Sequence, residues 1–173
     1  MVGQKDEGLR QKRIVFYKDD VGKIEGLLED YQNIAKAKCT MLIDKDGHMV
    51  TSTGSTSSYD TDTVSALVAG SFAATKQMAK LLGEDEFSVM FHQGKKDNIQ
   101  LSLVGDRTIL AVIFDEATTV GMVRHYAAKV AERLSNLFQE IAARTGPPPA
   151  AETIDAAKFS EDAKGQLDSL FGE

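Results

Sequence analysis

The feature that most constrains this chain is a set of β-prone runs joined by very short turns. Cys39-Thr40-Met41-Leu42-Ile43 and His48-Met49-Val50-Thr51-Ser52-Thr53 flank Asp44-Lys45-Asp46-Gly47. Three further runs, Phe87–Gln93, Ile99–Val104 and Thr108–Phe114, are separated only by Gly94-Lys95-Lys96-Asp97-Asn98 and Gly105-Asp106-Arg107. Strands joined by so little chain must be antiparallel neighbours, because a parallel crossover needs roughly a dozen residues or more. Gly47 is placed to supply the positive φ that a tight Asp/Gly hairpin turn demands. The string Asp44-x-Asp46-Gly47 also invites a calcium-loop reading. Such a loop needs Gly at its sixth position and Glu at its twelfth, and counting from Asp44 these are Met49 and Ser55.

Three segments with helical spacing surround the β-prone runs. Asp19 or Asp20 is placed to cap the first, in which Val21, Ile24, Leu27, Leu28, Tyr31, Ile34 and Ala35 recur at intervals of three and four. The second runs from Thr61 to Leu82, with Asp60 as its cap and Gly83 as the residue that ends it. The third starts near Thr118 or Thr119 and keeps Val120, Val123, Ala127, Val130, Leu134, Leu137, Phe138 and Ile141 in helical register up to Arg144. The order α-β-β-α-β-β-β-α predicts an α+β domain, a five-stranded antiparallel sheet with helices packed on its faces, spanning residues 19–144. Residues 1–18 read as a polar N-terminal arm with a short strand, Ile14-Val15-Phe16-Tyr17, that adds to a sheet edge. All three prolines, Pro147 to Pro149, fall in a linker over 145–158. The C-terminal tail, 159–173, carries Leu167, Leu170 and Phe171 as an apolar cluster; so short an element does not fold alone and is expected to dock.

Composition removes several function classes. The net charge is −6, from 20 basic and 26 acidic residues, and the one basic cluster is Arg10-Gln11-Lys12-Arg13, so no nucleic-acid partner is expected. No run approaches the roughly 18 apolar residues of a membrane span. Met1 to Glu7 are too polar to lead a signal peptide, and Gly3 does not stand at the myristoylation position. A cytoplasmic protein without membrane insertion is expected. A single cysteine, Cys39, leaves no internal disulfide and no multi-thiolate zinc site, and its apolar surroundings suit a buried structural thiol. His48, His92 and His125 lack metal-ligand spacing. GxxxxGK[ST], GxGxxG and GxSxG are all missing, and Gly70-Ser71 falls inside a helix. The expectation is a protein with no metal, no cofactor and no catalytic residues of its own.

The second helix carries the functional signal. Val64, Leu67, Val68, Ser71, Ala74, Met78, Leu81 and Leu82 form a broad stripe expected to lie on the sheet. The other side presents Ala66, Ala69, Gly70, Ala73 and Gln77, small and uncharged where a solvated face would carry Glu and Lys. A glycine inside a helix costs about 1 kcal/mol relative to alanine. Gly70 is therefore expected to admit another backbone, and an intermolecular contact is preferred over a second layer of the same domain. The run Phe87-Ser88-Val89-Met90-Phe91 is apolar on both faces, as a central strand would be, yet its place after a long helix suits a sheet edge. Phe87, Val89 and Phe91 then form a dimer strand that pairs with its copy across a two-fold axis, removing an aggregation hazard.

These segments together resemble the Roadblock/dynein light-chain family, and within it the bacterial MglB-type GTPase-activating members. The resemblance rests on Met41-Leu42-Ile43-Asp44-Lys45-Asp46-Gly47, Ala66-Leu67-Val68-Ala69-Gly70-Ser71-Phe72-Ala73-Ala74 and Ala79-Lys80-Leu81-Leu82-Gly83-Glu84. It extends through Phe91-His92-Gln93-Gly94, Val112-Ile113-Phe114-Asp115, Val120-Gly121-Met122-Val123-Arg124 and Leu167-Asp168-Ser169-Leu170-Phe171. The fold it implies is the same element order, Roadblock/longin-like. It further implies a homodimer whose second helices form a platform, here Ala66, Ala69, Gly70, Ala73 and Gln77, with Lys76 and Gln77 bulkier than their neighbours. The partner implied is a Ras-like small GTPase, MglA-like, whose GTP hydrolysis is stimulated in the control of cell polarity and motility. Members of this family supply no arginine finger; they hold the GTPase where its own Arg and Gln meet the γ-phosphate, which requires preferential binding of that conformer. Arg107 and Arg124 are rival finger candidates, with structural ion pairs the expected use of both. The tail residues Leu167, Leu170 and Phe171 are expected to reach the bound GTPase away from the platform. The alternatives are a non-activating Roadblock scaffold or a motor light chain.

Overall fold

The computed structural model describes residues 16–145, and its compact body is Phe16–Ile141. The N-terminal arm before Phe16, the proline linker beyond Thr145 and the docking residues Leu167, Leu170 and Phe171 lie outside the described residues. The elements are α1 (Lys18–Ala35), β1 (Cys39–Asp44), β2 (Met49–Gly54), α2 (Thr61–Leu81), β3 (Val89–Gln93), β4 (Asn98–Val104), β5 (Thr108–Phe114) and α3 (Val120–Thr145). The order is the one read from the sequence.

Local chemistry sets the ends of these elements. Phe16 and Tyr17, the described members of the expected N-terminal strand, form none and lead directly into α1. Tyr17 is the N-cap; its N–H donates to the Asp20 carboxylate at 3.0 Å, and the Asp20 N–H donates to the Tyr17 carbonyl at 3.0 Å. Asp20 thus stabilises the helix from inside its first turn, where a negative charge suits the helix dipole, instead of preceding it as a cap. At α2 the expected cap is in place, with the Thr63 N–H donating to Asp60 at 3.2 Å and the Thr63 hydroxyl at 2.7 Å. The same bonds hold the Asp60 carboxyl below its usual pKa range. Gly83 ends the helix at φ +81°, with its N–H on the Lys80 carbonyl and that of Glu84 on Ala79, the two bonds of a Schellman motif.

The five strands form one antiparallel sheet in the order β2-β1-β5-β4-β3. β5 lies at its centre and is buried along its whole length. Alternate side chains face opposite ways. Cys39, Met41, Ile43, Leu101, Ile109, Ala111 and Ile113 meet Val68 and Phe72 of α2 on one face. The other face carries Leu42, Leu110, Val112 and Phe114, all buried, under α1 and α3. Thr51, paired with Leu42 across β1–β2, donates its hydroxyl to Glu25 of α1 at 2.8 Å. The Tyr31 hydroxyl of α1 donates to the Val123 carbonyl of α3 at 3.1 Å. Cys39 is fully buried, and desolvation pushes its thiol up to about 11.

Candidate functional site

The face that α2 turns to the sheet differs from the one its residue sizes suggest. Ser65, Val68, Ala69, Phe72 and Ala79 are its buried residues. Of the stripe expected on the sheet, Val68 alone is fully buried and Val64 and Ser71 are half-buried. Leu67, Met78, Leu81 and Leu82 are 66%, 56%, 87% and 69% exposed, and Ala74 is exposed as well. The reason lies beneath the helix. Met41, Ile43, Ile109 and Leu101 already fill the sheet surface, so the helix settles closely on Ser65, Ala69 and Ala79, with Phe72 as its one large anchor.

Of the five small-face residues, Ala66, Gly70, Ala73 and Gln77 are exposed. Ala69 is not: it is buried at the edge of the α2–sheet contact. The β1–β2 turn explains it. Gly47, at φ +94°, comes so close that a Cβ there would lie 3.2 Å from the Ala66 Cα and 3.7 Å from the Ala69 Cβ. Small side chains at 66 and 69 thus serve packing within the chain. Gly70 has no such role, since a Cβ added there would meet nothing within 4 Å.

Two contacts orient the exposed arc. On one flank the Thr75 hydroxyl lies 3.2 Å from the Met90 sulfur of β3. On the other, Lys76 reaches Glu86 at 3.5 Å, and Glu86 also binds Lys45 at 2.8 and 3.1 Å. These hydrogen bonds, Lys45 first, hold the Glu86 carboxyl below its usual range. Lys76 is thereby drawn aside, and its bulk does not stand on the arc. Helical geometry then divides what is exposed. Leu67, Ala74 and Met78 share the β3-ward flank with Ser71 and Thr75, while Ala66, Gly70, Ala73 and Gln77 form the stripe beside it.

β3 is an edge strand. It begins at Val89, so Phe87, half-buried, precedes it. Val89 and Phe91 are each 40% exposed, and the Phe91 ring stacks on Phe114 with centroids 6.1 Å apart. Their common face is the one that α1 and α3 cover, while Met90 points to the α2 side. α2 and β3 therefore present an apolar helix flank and an open strand edge next to each other.

Of the two arginines read as rival fingers, Arg107 has a structural partner among the described residues and Arg124 does not. Arg107 binds Asp46 at 3.1 Å. Arg124 is exposed on α3, across the sheet from α2, and has no ion pair among the described residues. The Asp44 carboxylate accepts the N–H groups of Asp46 and His48, both at 2.9 Å, so the Asp-rich string serves its own turn. Among the described residues, no group of three His, Cys, Asp or Glu could hold a metal. No described helix is long and apolar enough to cross a membrane. An open cleft of about 510 Å³ lies between the β3–β4 turn and the start of α3. There Lys38 pairs with Asp97 at 2.8 Å and Asp115 at 3.8 Å. The charges of that cleft compensate each other and do not converge on a reacting atom.

Residues 23–114 match the model of the Roadblock/LC7 domain family. Among solved structures, MglB from Myxococcus xanthus is 38% identical with a TM-score of 0.70, the match covering 73% of this chain and 96% of that one. An MglB solved in a tetrameric arrangement is 29% identical at a TM-score of 0.70, covering 74% and 96%. The gliding protein MglB of Thermus thermophilus is 29% identical at 0.69, covering 73% and 96%. No curated protein matches the chain.

Proposed function

The chain belongs to the Roadblock/LC7 domain family as an MglB-like member, and from that premise we propose that it is a homodimeric regulator of a Ras-like small GTPase and not an enzyme. The observation that carries the reading is the exposed, nearly uncharged arc of α2 beside an open strand edge in an MglB-like fold. In this reading β3 pairs with its copy about a two-fold axis. Leu67, Ala74 and Met78, on the β3-ward flank, then meet across the seam. Ala66, Gly70, Ala73 and Gln77 of both copies form the platform for the GTPase. Leu167, Leu170 and Phe171 supply a second contact to the bound GTPase.

The protein raises the rate of hydrolysis by holding the GTPase in the conformer whose own Arg and Gln stabilise charge at the γ-phosphate and position the attacking water. It must therefore bind that conformer more tightly than the others, by the same free energy by which it shifts the population.

Single-turnover GTP hydrolysis by the cognate MglA-like GTPase, with and without this protein, tests the reading. Acceleration that survives Arg107→Ala and Arg124→Ala is expected. Binding without acceleration would make the protein a scaffold. A fall in rate of about 10³ or more in either variant would restore an arginine finger.

A further inference from the structure

α1 and α3 do not cover their face of the sheet as far as β3. Val89 and Phe91 point to that face and stay 40% exposed, whereas Leu42, Leu110, Val112 and Phe114 beneath the helices are buried. The flank of α3 turned to α1 carries Arg133, Leu137 and Glu140, so the flank bordering β3 carries Val120, Arg124, Ala131 and Ser135. Val120 lies by Gln93 of β3, Asn98 of β4 and Phe114 of β5. A Cβ at Gly105, in the turn from β4 to β5, would stand 4.0 Å from the Ser135 hydroxyl. α3 therefore runs above β4 and β5, in the direction of β4, with β3 running against it.

Charge and width together select an occupant. Among the described residues of this flank Arg124 is the one charge, exposed and without an ion pair. It stands one helical turn from Val120, and Phe91 stands two strand residues from Gln93, about 6–7 Å in each case, so the two share a level. Lys95 and Lys96 at one end of the strip and Asp106 at the other differ in sign, and Glu132 lies on the outward ridge of α3. The middle of the strip is left to Arg124. With β3 paired to its copy as proposed above, β4 and its copy lie three strand spacings apart, about 14 Å, and β5 and its copy five, about 24 Å. The two α3 axes then stand about 19 Å apart. Packed helices lie about 8–10 Å from one another, so the space between takes one further helix and not two. Its floor is Val89 and Phe91 of both copies, and its walls are small at Ala131 and Ser135, with one Arg124 on each side. A helix with an apolar stripe and acidic margins matches that pattern, and a basic one is repelled from both walls.

We propose that this strip is a docking site for one amphipathic helix of a partner protein, apolar toward Val89 and Phe91 and acidic at both margins. The two-fold axis passes through it, so each dimer takes a single helix. The site rests on the β3 pairing and lies across the sheet from the GTPase platform, so both can be filled at once.

Fluorescence anisotropy of the full chain with labelled synthetic helices tests it, with light scattering reporting the mass. The probes are a Leu/Ala helix margined by Glu, its counterpart with Lys at the same positions, and a scrambled Glu sequence. The Glu helix should bind at one per two chains, more weakly at high salt, and the other two at least about tenfold more weakly. Arg124→Glu should weaken the Glu helix about tenfold and admit the Lys helix. Ala131→Trp, which fills the wall, should exclude both, with circular dichroism confirming that each variant is folded. Binding that ignores the sign at position 124, saturation at one helix per chain, or competition with the GTPase overturns the proposal. So does a photoreactive label on Arg124→Cys that joins to the chain's own tail, 146–173, and not to the helix. A monomeric chain overturns the β3 pairing and this site with it, whereas a dimer that binds no helix overturns this site alone.

Discussion

Replacing Gly70 by alanine should make the free protein more stable and the GTPase complex weaker. The position lies inside α2, and an added Cβ meets no atom within 4 Å. The methyl therefore adds no strain within the chain and recovers about 0.8–1 kcal/mol of helix propensity. For a body of this size that raises the midpoint of thermal unfolding by about 3–5 °C. In the proposed complex the same methyl would stand where a partner backbone approaches, and overpacking a close contact costs about 1–3 kcal/mol, a roughly 5- to 150-fold loss of affinity. Gly22→Ala is the control. It too lies in a helix with nothing within 4 Å, but on α1, so it should raise stability alike and leave affinity unchanged. Calorimetric melting and titration of the GTP-loaded partner read both effects. A Gly70→Ala variant that melts higher and binds as before refutes a close approach at this position. One that melts lower and loses the dimer moves Gly70 from the platform to the seam.

Ala73→Arg should abolish GTPase binding while light scattering still reports the dimer; normal binding would displace the platform. Val89→Lys puts a charge on the open β3 edge, which opposes strand pairing, and should shift the mass toward the monomer at micromolar concentration; an unchanged mass removes β3 from the seam. Glu86→Gln should lose about 0.5–1 kcal/mol near neutral pH, the range of solvent-reached ion pairs. Because the folded pKa of Glu86 lies below its unfolded value, that advantage is present above the ordinary carboxylate range and fades as pH falls through the folded pKa. The gap between wild type and variant in urea melts should thus narrow as pH falls below the ordinary carboxylate range, and a constant gap would assign the effect to something other than charge. Cys39, buried with its thiol near 11, should resist a thiolate-selective reagent at pH about 8 until the protein unfolds; rapid labelling of folded protein would contradict its burial.

Much of the fold was legible because its signals are local. The turn at Asp44–Gly47 is written in its composition, and the structure adds only that the Asp44 carboxylate holds it closed. Asp60 and Gly83 bracket α2 for the same reason: a carboxylate that accepts an N–H and a residue free to adopt positive φ act over a few bonds. The start of α1 was less legible. Tyr17 offers no capping side chain, and the group that stabilises the turn is Asp20, inside it. Phe16 has strand propensity but follows Phe138, a residue far along the chain that no local rule connects to it.

The candidate site was half legible, and α2 shows why. A hydrophobic/polar pattern locates a helix face only when its two sides differ in polarity, and most of α2 is apolar or small. The contrast that decides which side meets the sheet is one of size within the apolar class. Ranking by size put Leu67, Met78 and Leu81 inside, yet the sheet's own Met41, Ile43 and Ile109 had filled that space, and Ser65, Ala69 and Ala79 fit it better. Gly47 adds a second requirement that only the fold reveals, since its turn reaches Ala66 and Ala69 from β1–β2. Smallness on this helix therefore cannot be assigned from sequence to one cause. At Ala69 it serves the hairpin turn, and at Gly70 the chain itself makes no demand, so that only the proposed platform would use it.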